Sequence, residues 1–304
     1  MFVLNPDPYL LPAYKIGPFQ TKDIQLNNQL PYSNSIDDYF ANRFKERSFE
    51  YVADGRKAIN IALQQYHLQP EDVVTIFTSS GNFYISACVT KEIEKFCQWS
   101  REITDSTKII FVNHEFGYPY KQIEKLQQYK LPIIEDCCHS FFSTDVGKEI
   151  GVTGEFAIYS FPKMFPLQIG GLLTANRTYT STTTLNSEKL RYVKNVLSHY
   201  IVEEKSIIEK RIANYNYLKN SLDKNLFQER FVLSEGIVPG VFMFRVKDAG
   251  INLPLLKQHL YAQGIQCSVF YGEHSFFIPL HQNLVEADLD YFTYMINSYF
   301  KNFK

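Results

Sequence analysis

The sequence predicts an α/β protein: a mostly parallel central sheet with helices on both faces, followed by a smaller C-terminal α/β domain. Three observations lead there. From residue 55 onward, short β-branched or apolar runs alternate with helical stretches, the beat of strand–helix–strand units. The runs end in small or polar residues, as strands buried on both faces do in parallel sheets. Of the 304 residues, 45% are hydrophobic, enough for more than one buried core. The expected organisation is an N-terminal arm over 1–48, a large domain over 49–190 and a small domain over 191–304.

The first fifty residues are rich in Pro, Asn, Tyr and Gln with little periodicity, which suggests an arm packed on another surface. The pattern then changes at "DGRKAINIALQQ", where Ala58, Ile59, Ile61, Ala62 and Leu63 share the face of a helix starting at Gly55. "VVTIF" reads as a buried strand, "YISACVTKEIEKFCQWSREI" as a helix, "KIIFVN" as a strand and "YKQIEKLQQY" as a helix. "LPIIED", "EFAIYSF" and "GGLLTAN" follow as strands, and the Thr-rich "TYTSTTT" at 178–184 as a connection. Residues 190–226 read as one long helical stretch. "GVFMFRV" is a strand, "LPLLKQHLYAQGI" a helix with a glycine stop, "CSVFYG" a strand and "EADLDYFTYMINSYFKNFK" a closing helix.

A formal charge of −1 from interspersed acids and bases provides no basic field for nucleic acid or anionic membrane. No apolar run approaches the roughly 20 residues needed to cross a bilayer, and the first residues do not form a secretory leader. A cytoplasmic protein is expected. Five cysteines without framework spacing agree with reduced thiols. The 25 Phe and 21 Tyr imply large packing surfaces.

The chemistry-bearing stretch is "IIEDCCHS" at 133–140, where an apolar run ends in two acids, two thiols and an imidazole. Ligands of open α/β sheets collect at the carboxyl ends of strands. Adjacent cysteines do not easily ligate one tetrahedral ion, and no second CxxC or HxxxH lies nearby, so no metal is expected. Cys137 or Cys138 beside His139 could form a thiol–imidazole pair, or simply fill core space. Asp136 at the sheet mouth must stay solvated or hold a cation. One such cation is a protonated pyridine nitrogen. The other parts of a pyridoxal phosphate site occur in order along the chain: Gly55 opening a helix for phosphate, Phe83 as a ring to stack, Ser160 closing "FAIYS", and Lys163 as an amine.

From "YVADGRKAINIAL" through "IIEDCCHSFFSTDVGKEIGVTGEFAIYSFPKMFPLQIGGLLTANR", nearly half of the chain resembles the DegT/DnrJ/EryC1/StrS family of pyridoxal-phosphate-dependent sugar aminotransferases. That resemblance implies the fold type I transferase fold of aspartate aminotransferase, with pyridoxal 5'-phosphate as cofactor. It implies that Asp136 pairs with the ring nitrogen, His139 with the phenolic oxygen, and Phe83 with the ring face. Gly55, Arg56 and Ser160 would hold the phosphate, and Lys163 would take the Schiff-base position. The implied substrates are a keto sugar, nucleotide-linked, and glutamate as amino donor, in surface polysaccharide or deoxysugar biosynthesis, and the implied assembly is a homodimer. Ser160 and Lys163 stand three residues apart where the family has five, Arg56 replaces a threonine, and the family's Asn-Tyr-Arg segment is not recognisable. These departures raise an alternative, a family member that keeps the fold but binds or regulates without transamination.

Overall fold

A computed structural model describes residues 13–181 and 185–302, in which two helices, α1 (Lys22–Asn28) and α2 (Ser35–Phe44), come first. The first twelve residues of the expected arm, and 182–184 of the Thr-rich connection, lie outside the described residues. The main sheet draws on β1 (Ser48–Val52), β2 (Val73–Thr78), β3 (Gln98–Ser100), β4 (Thr107–Asn113) and β5 (Ile133–Asp136). Helix α3 (Gly55–Gln64) follows β1, α4 (Ala87–Ile93) precedes β3, and the short α5 (Ile123–Leu126) precedes β5. After a small hairpin, β6 (Thr144–Asp145) and β7 (Lys148–Glu149), come β8 (Phe156–Ser160) and β9 (Gly171–Ala175).

The described residues form a seven-stranded sheet in the order β1-β9-β8-β5-β4-β2-β3. Strands β8, β5, β4, β2 and β3 run parallel, while β9 is antiparallel to both neighbours. The α/β fold with a mostly parallel sheet is therefore observed. Two details differ from the sequence reading. The stretch expected as one helix over 84–103 stops at Ile93, because "QWS" pairs in parallel with β2, Trp99 opposite Val74. Strand β1 had not been expected either; its partner β9 lies more than a hundred residues away, which no local pattern announces.

One face of the sheet packs on α3 and α4 through Ala58, Ile59, Ala62, Ile76, Phe156 and Leu173. The other face packs on α2 and on α6 (Ser187–Tyr200) through Phe40, Phe44, Tyr159, Phe161, Val193 and Leu197. Phe40 is fully buried and stacks on Phe161 at 6.0 Å with an 8° interplanar angle. Much of the aromatic surplus is thus spent inside the fold, including by a helix from the first fifty residues. Helix α6 also runs through the boundary expected at 190–191.

The remaining elements build a second layer pair. A 3-10 turn at Ile201–Glu203 splits the expected long helix into α6 and α7 (Glu204–Ser221). Helices α7, α8 (Leu253–Ala262) and α9 (Glu286–Asn302) pack on one face of a four-stranded antiparallel sheet. Its strands are β10 (Phe227–Glu229), β11 (Val241–Val246), β12 (Ser268–Phe270) and β13 (Ser275–Pro279), in the order β10-β11-β13-β12. Phe242, Phe244, Phe276, Leu256, Phe292 and Ile296 fill this core. No helix among the described residues is long and apolar enough to cross a membrane, and all five cysteines are free thiols.

One buried carboxylate fixes the route of the chain into β8. Glu135, 1% exposed, accepts hydrogen bonds from the N–H groups of Gly151 (3.1 Å), Thr153 (2.8 Å) and Gly154 (2.6 Å). Its Oε2 also lies 3.0 Å from Nε2 of His114, whose Nδ1 accepts from the Tyr120 N–H. That second bond places the neutral ring's proton on Nε2, facing the carboxylate. From the other side Arg47 donates to the carbonyls of Gly154 (2.9 Å) and Val152 (3.4 Å). Burial pushes the Glu135 carboxyl up, but the hydrogen bonds from His114 and the glycine N–H groups outweigh it, and the net shift is downward.

A carboxyl with a lowered folded pKa contributes stability above its unfolded value, near 4.3, and loses it as pH falls through the folded one. Glu135→Gln should therefore cost about 3 kcal/mol at pH 7, read as a lower urea midpoint, with the gap to wild type narrowing in acid. An unchanged midpoint would show that the loop is held by something else.

Candidate active site

The carboxyl ends of β5 and β8 and the amino end of α3 meet at one point, and the side chains there follow from strand geometry. Consecutive residues of a strand point to opposite faces. Glu135 therefore turns to the loop over 151–154, and Asp136 turns the other way, toward the start of α3. Asp136 is 6% exposed. Its Oδ1 accepts the Cys138 N–H at 3.0 Å, and no cation bonds it directly among the described residues. Burial pushes its pKa up; the bonds from Cys138 and the charge of Lys163 pull against this without cancelling it.

Helix α3 is brought against this strand end by a glycine. A Cβ at Gly55 would stand 2.9 Å from Sγ of Cys138 and 3.7 Å from Cβ of Ser160, so only glycine lets the helix start this close. Asp54 caps the helix by accepting the Lys57 N–H at 2.9 Å and pairs with the exposed Arg56 guanidinium at 3.3 Å. The N–H groups of Gly55 and Arg56, first in the helix, have no intrahelical carbonyl to bond. The glycine pair performs a similar service from β9: a Cβ at Gly171 would stand 2.6 Å from the Tyr159 carbonyl, and Gly170 takes φ +101° while donating to Ala53 at 2.7 Å.

Lys163 ends the 3-10 turn Phe161–Lys163 that follows Ser160 directly. It is half-buried, and its charge acts on Asp136, Cys138 and His139 alike. Burial, with the charges of Lys163 and Arg211, holds His139 well below the usual imidazole range, so its ring is neutral. The ring lies 5.4 Å from that of Phe116, and a Cβ at Gly240 would come within 3.0 Å of its Nδ1.

The structure thus gathers Gly55, Asp136, His139, Ser160 and Lys163 around one end of the sheet, with Arg56 at the rim. It does not bring Phe83 among them. That side chain is 68% exposed in the loop after β2, with Trp99 as its ring neighbour at 6.4 Å. The aromatic ring beside His139 is Phe116, at positive φ in the "HEFG" loop after β4. Sequence reasoning passed over that loop, although His114 at a strand end marks it as a second site-bearing segment.

The cysteines have no nucleophilic setting. Burial pushes Cys137 and Cys138 well above the ordinary thiol range, with neighbouring carboxylates adding to it, so neither is a thiolate near neutral pH. His114, Glu135 and Cys137 place possible ligand atoms within 4.8 Å of one another. Both His114 nitrogens and both Glu135 oxygens are already bonded within the protein, and the geometry is that of a structural hydrogen-bond cluster.

The α/β fold described above is that of pyridoxal-phosphate-dependent aminotransferases of known structure. Residues 96–186 match the DegT/DnrJ/EryC1/StrS aminotransferase family. GDP-perosamine synthase from Escherichia coli O157:H7 is 26% identical over 159 residues, 45% of this chain and 44% of that enzyme. The match thus spans less than half of that curated relative. Among solved structures, the aminotransferase TlmJ from Streptoalloteichus hindustanus superposes with a TM-score of 0.76 at 14% identity, covering 96% of this chain and 100% of that one. GDP-4-keto-6-deoxy-D-mannose-3-dehydratase from E. coli, with bound hydrated PLP, gives 0.71 at 14% identity, covering 94% and 100%. The resemblance read from the sequence holds, and the fold is shared along nearly the whole chain.

The buried charge of Asp136 gives a direct test. Its raised pKa means that ionisation costs stability above the folded value and costs nothing below the unfolded one, near 3.9. Cofactor-free Asp136→Asn should melt higher than wild type at pH 7, and the difference should close as pH falls toward about 4. Equal melting at both pH values would mean that a cation within the protein already compensates the carboxylate.

Proposed function

We propose that the protein is a pyridoxal-phosphate-dependent aminotransferase that moves an amino group from glutamate to a nucleotide-linked keto sugar, in surface polysaccharide or deoxysugar biosynthesis. The observation that carries this reading is the pairing of a buried carboxylate without a direct cationic partner, Asp136, with a lysine whose charge reaches the same spot. The relatives named above support the substrate class. A cytoplasmic homodimer is the form we expect.

The residues present suit the cofactor. Asp136 offers a desolvated negative charge to a protonated ring nitrogen and would keep it protonated. Gly55 and Ser160, held together at the start of α3, offer a helix N-terminus and a hydroxyl to a phosphate, and Arg56 a charge-assisted donor. Neutral His139 can bond a phenolic oxygen without adding charge. Phe83 belongs to the same proposal as the ring-stacking residue, and reaches the ring only if its loop folds inward. When bound, pyridoxal phosphate supplies an electron sink for the carbanion at the amino donor's α-carbon. Lys163 would provide the amine that holds the aldehyde carbon and, once free, would be the base that moves the donor's α-proton.

Purified protein titrated with pyridoxal phosphate should show an absorbance band in the near-ultraviolet to visible range, and borohydride should fix the cofactor to the peptide carrying Lys163. Lys163→Ala should lose both signals. Cofactor binding without covalent fixing in the wild type would favour the alternative, a member of the fold that binds or regulates without transamination.

A further inference from the structure

We propose that Arg211 and Gln282, on the second sheet's side of the molecule, are positioning residues for Lys163 that act through its backbone. The inference rests on the aminotransferase reading for its catalytic meaning, but the arrangement is independent of it.

The turn carrying Lys163 is short. Ser160 and Lys163 are three residues apart, Pro162 has no N–H to give, and the turn's own backbone bonds use only the Phe161 and Gly170 carbonyls. The carbonyls of residues 162–164 point outward from the turn and are met by groups from distant segments. Gly17 approaches Pro162 O so closely that a Cβ there would lie 2.3 Å away. Arg211 Nη2 donates to Lys163 O at 3.0 Å, and Gln282 Nε2 donates to Met164 O at 2.8 Å. The two donors are themselves joined, Arg211 Nε giving to Gln282 Oε1 at 3.0 Å.

The residue chosen for this task is expensive. Arg211 sits on α7 with 0% exposure, and no carboxylate pairs with it among the described residues. Its remaining bonds run to the carbonyls of Pro239 and Leu280, both at 3.3 Å. Burying a charge without a counter-ion is costly, and burial lowers its pKa to about 9. A guanidinium presents its donors in a rigid planar fork, which no lysine or amide reproduces. Here the fork spans four acceptors and locks the Lys163 main chain to the middle of α7 and to the segment after β13. The turn's own bonds leave the carbonyls of residues 162–164 without local partners, and the clamp provides that support from outside. Where Lys163 sits relative to Asp136 and His139 is then set by Arg211 and Gln282.

The test uses full-length Arg211→Met, Arg211→Lys and Gln282→Leu. Arg211→Met leaves several buried carbonyls unbonded and can fail to fold; Gln282→Leu removes a single donor to Met164 and keeps the test open. In cofactor-free protein, labelling of Lys163 by limiting acetic anhydride, followed by mass spectrometry, should change several-fold in Gln282→Leu, with other lysines unaffected. With cofactor, borohydride fixing at Lys163 should slow by on the order of tenfold to a hundredfold, with the pH midpoint of the absorbance band displaced. Arg211→Lys should retain part of the wild-type rate. Folded Gln282→Leu with wild-type labelling, fixing rate and pH midpoint would overturn the proposal. A wild type that borohydride does not fix at Lys163, alongside altered labelling in the variant, would defeat the aminotransferase reading and support the clamp.

Discussion

Two adjacent carboxylates at the end of one buried strand cannot face the same way, and much of this molecule follows from that constraint. Glu135 turns into the protein, where His114 and three backbone N–H groups hydrogen-bond it and fix the loop that feeds β8. Asp136 turns toward the space beneath α3, where no such company waits for it. Because the first acid fixes β8, it also fixes Ser160 and the turn that holds Lys163. The structural acid and the candidate functional acid are thus one residue apart and mechanically linked.

The site they create stores electrostatic discomfort. Asp136 is ionisable but desolvated, His139 is kept neutral by burial between Lys163 and Arg211, and Arg211 is a buried cation bonded only to carbonyls and an amide. Each arrangement is unfavourable in the protein alone. A ligand bearing a positive ring nitrogen and a phenolic oxygen would relieve the first of these and use the second, which is the physical content of the cofactor assignment. The thiols of Cys137 and Cys138 do something plainer: they pack, and Cys138 sets the distance of closest approach for Gly55.

Legibility in the sequence tracked the range of the interactions involved. Strands β2, β4, β5, β8 and β9 announce themselves as short apolar runs, and α3 begins at Gly55, where the periodicity places it. The gathering of Asp136, Ser160 and Lys163 was also readable, because each ends or follows a parallel strand and such ends converge. Strand β1 and the edge strand β3 were not, since their pairing partners are distant or their residues weakly patterned. The Glu135–His114 cluster and the Arg211–Gln282 clamp were missed for the same reason: a buried polar residue reveals its partners only when the chain is folded. Phe83 and Phe116 show the limit most sharply. Both lie in loops after parallel strands, and only the three-dimensional path of each loop decides which ring stands beside His139.

The central claim is that Asp136 and Lys163 grip opposite ends of the same small molecule. A crystal structure of the protein with pyridoxal phosphate tests it most directly. The Asp136 carboxylate should lie about 2.8 Å from the ring nitrogen, with continuous density between Lys163 Nζ and the carbon that carried the aldehyde. A cofactor bound elsewhere, or one whose ring nitrogen faces a group other than Asp136, would contradict it.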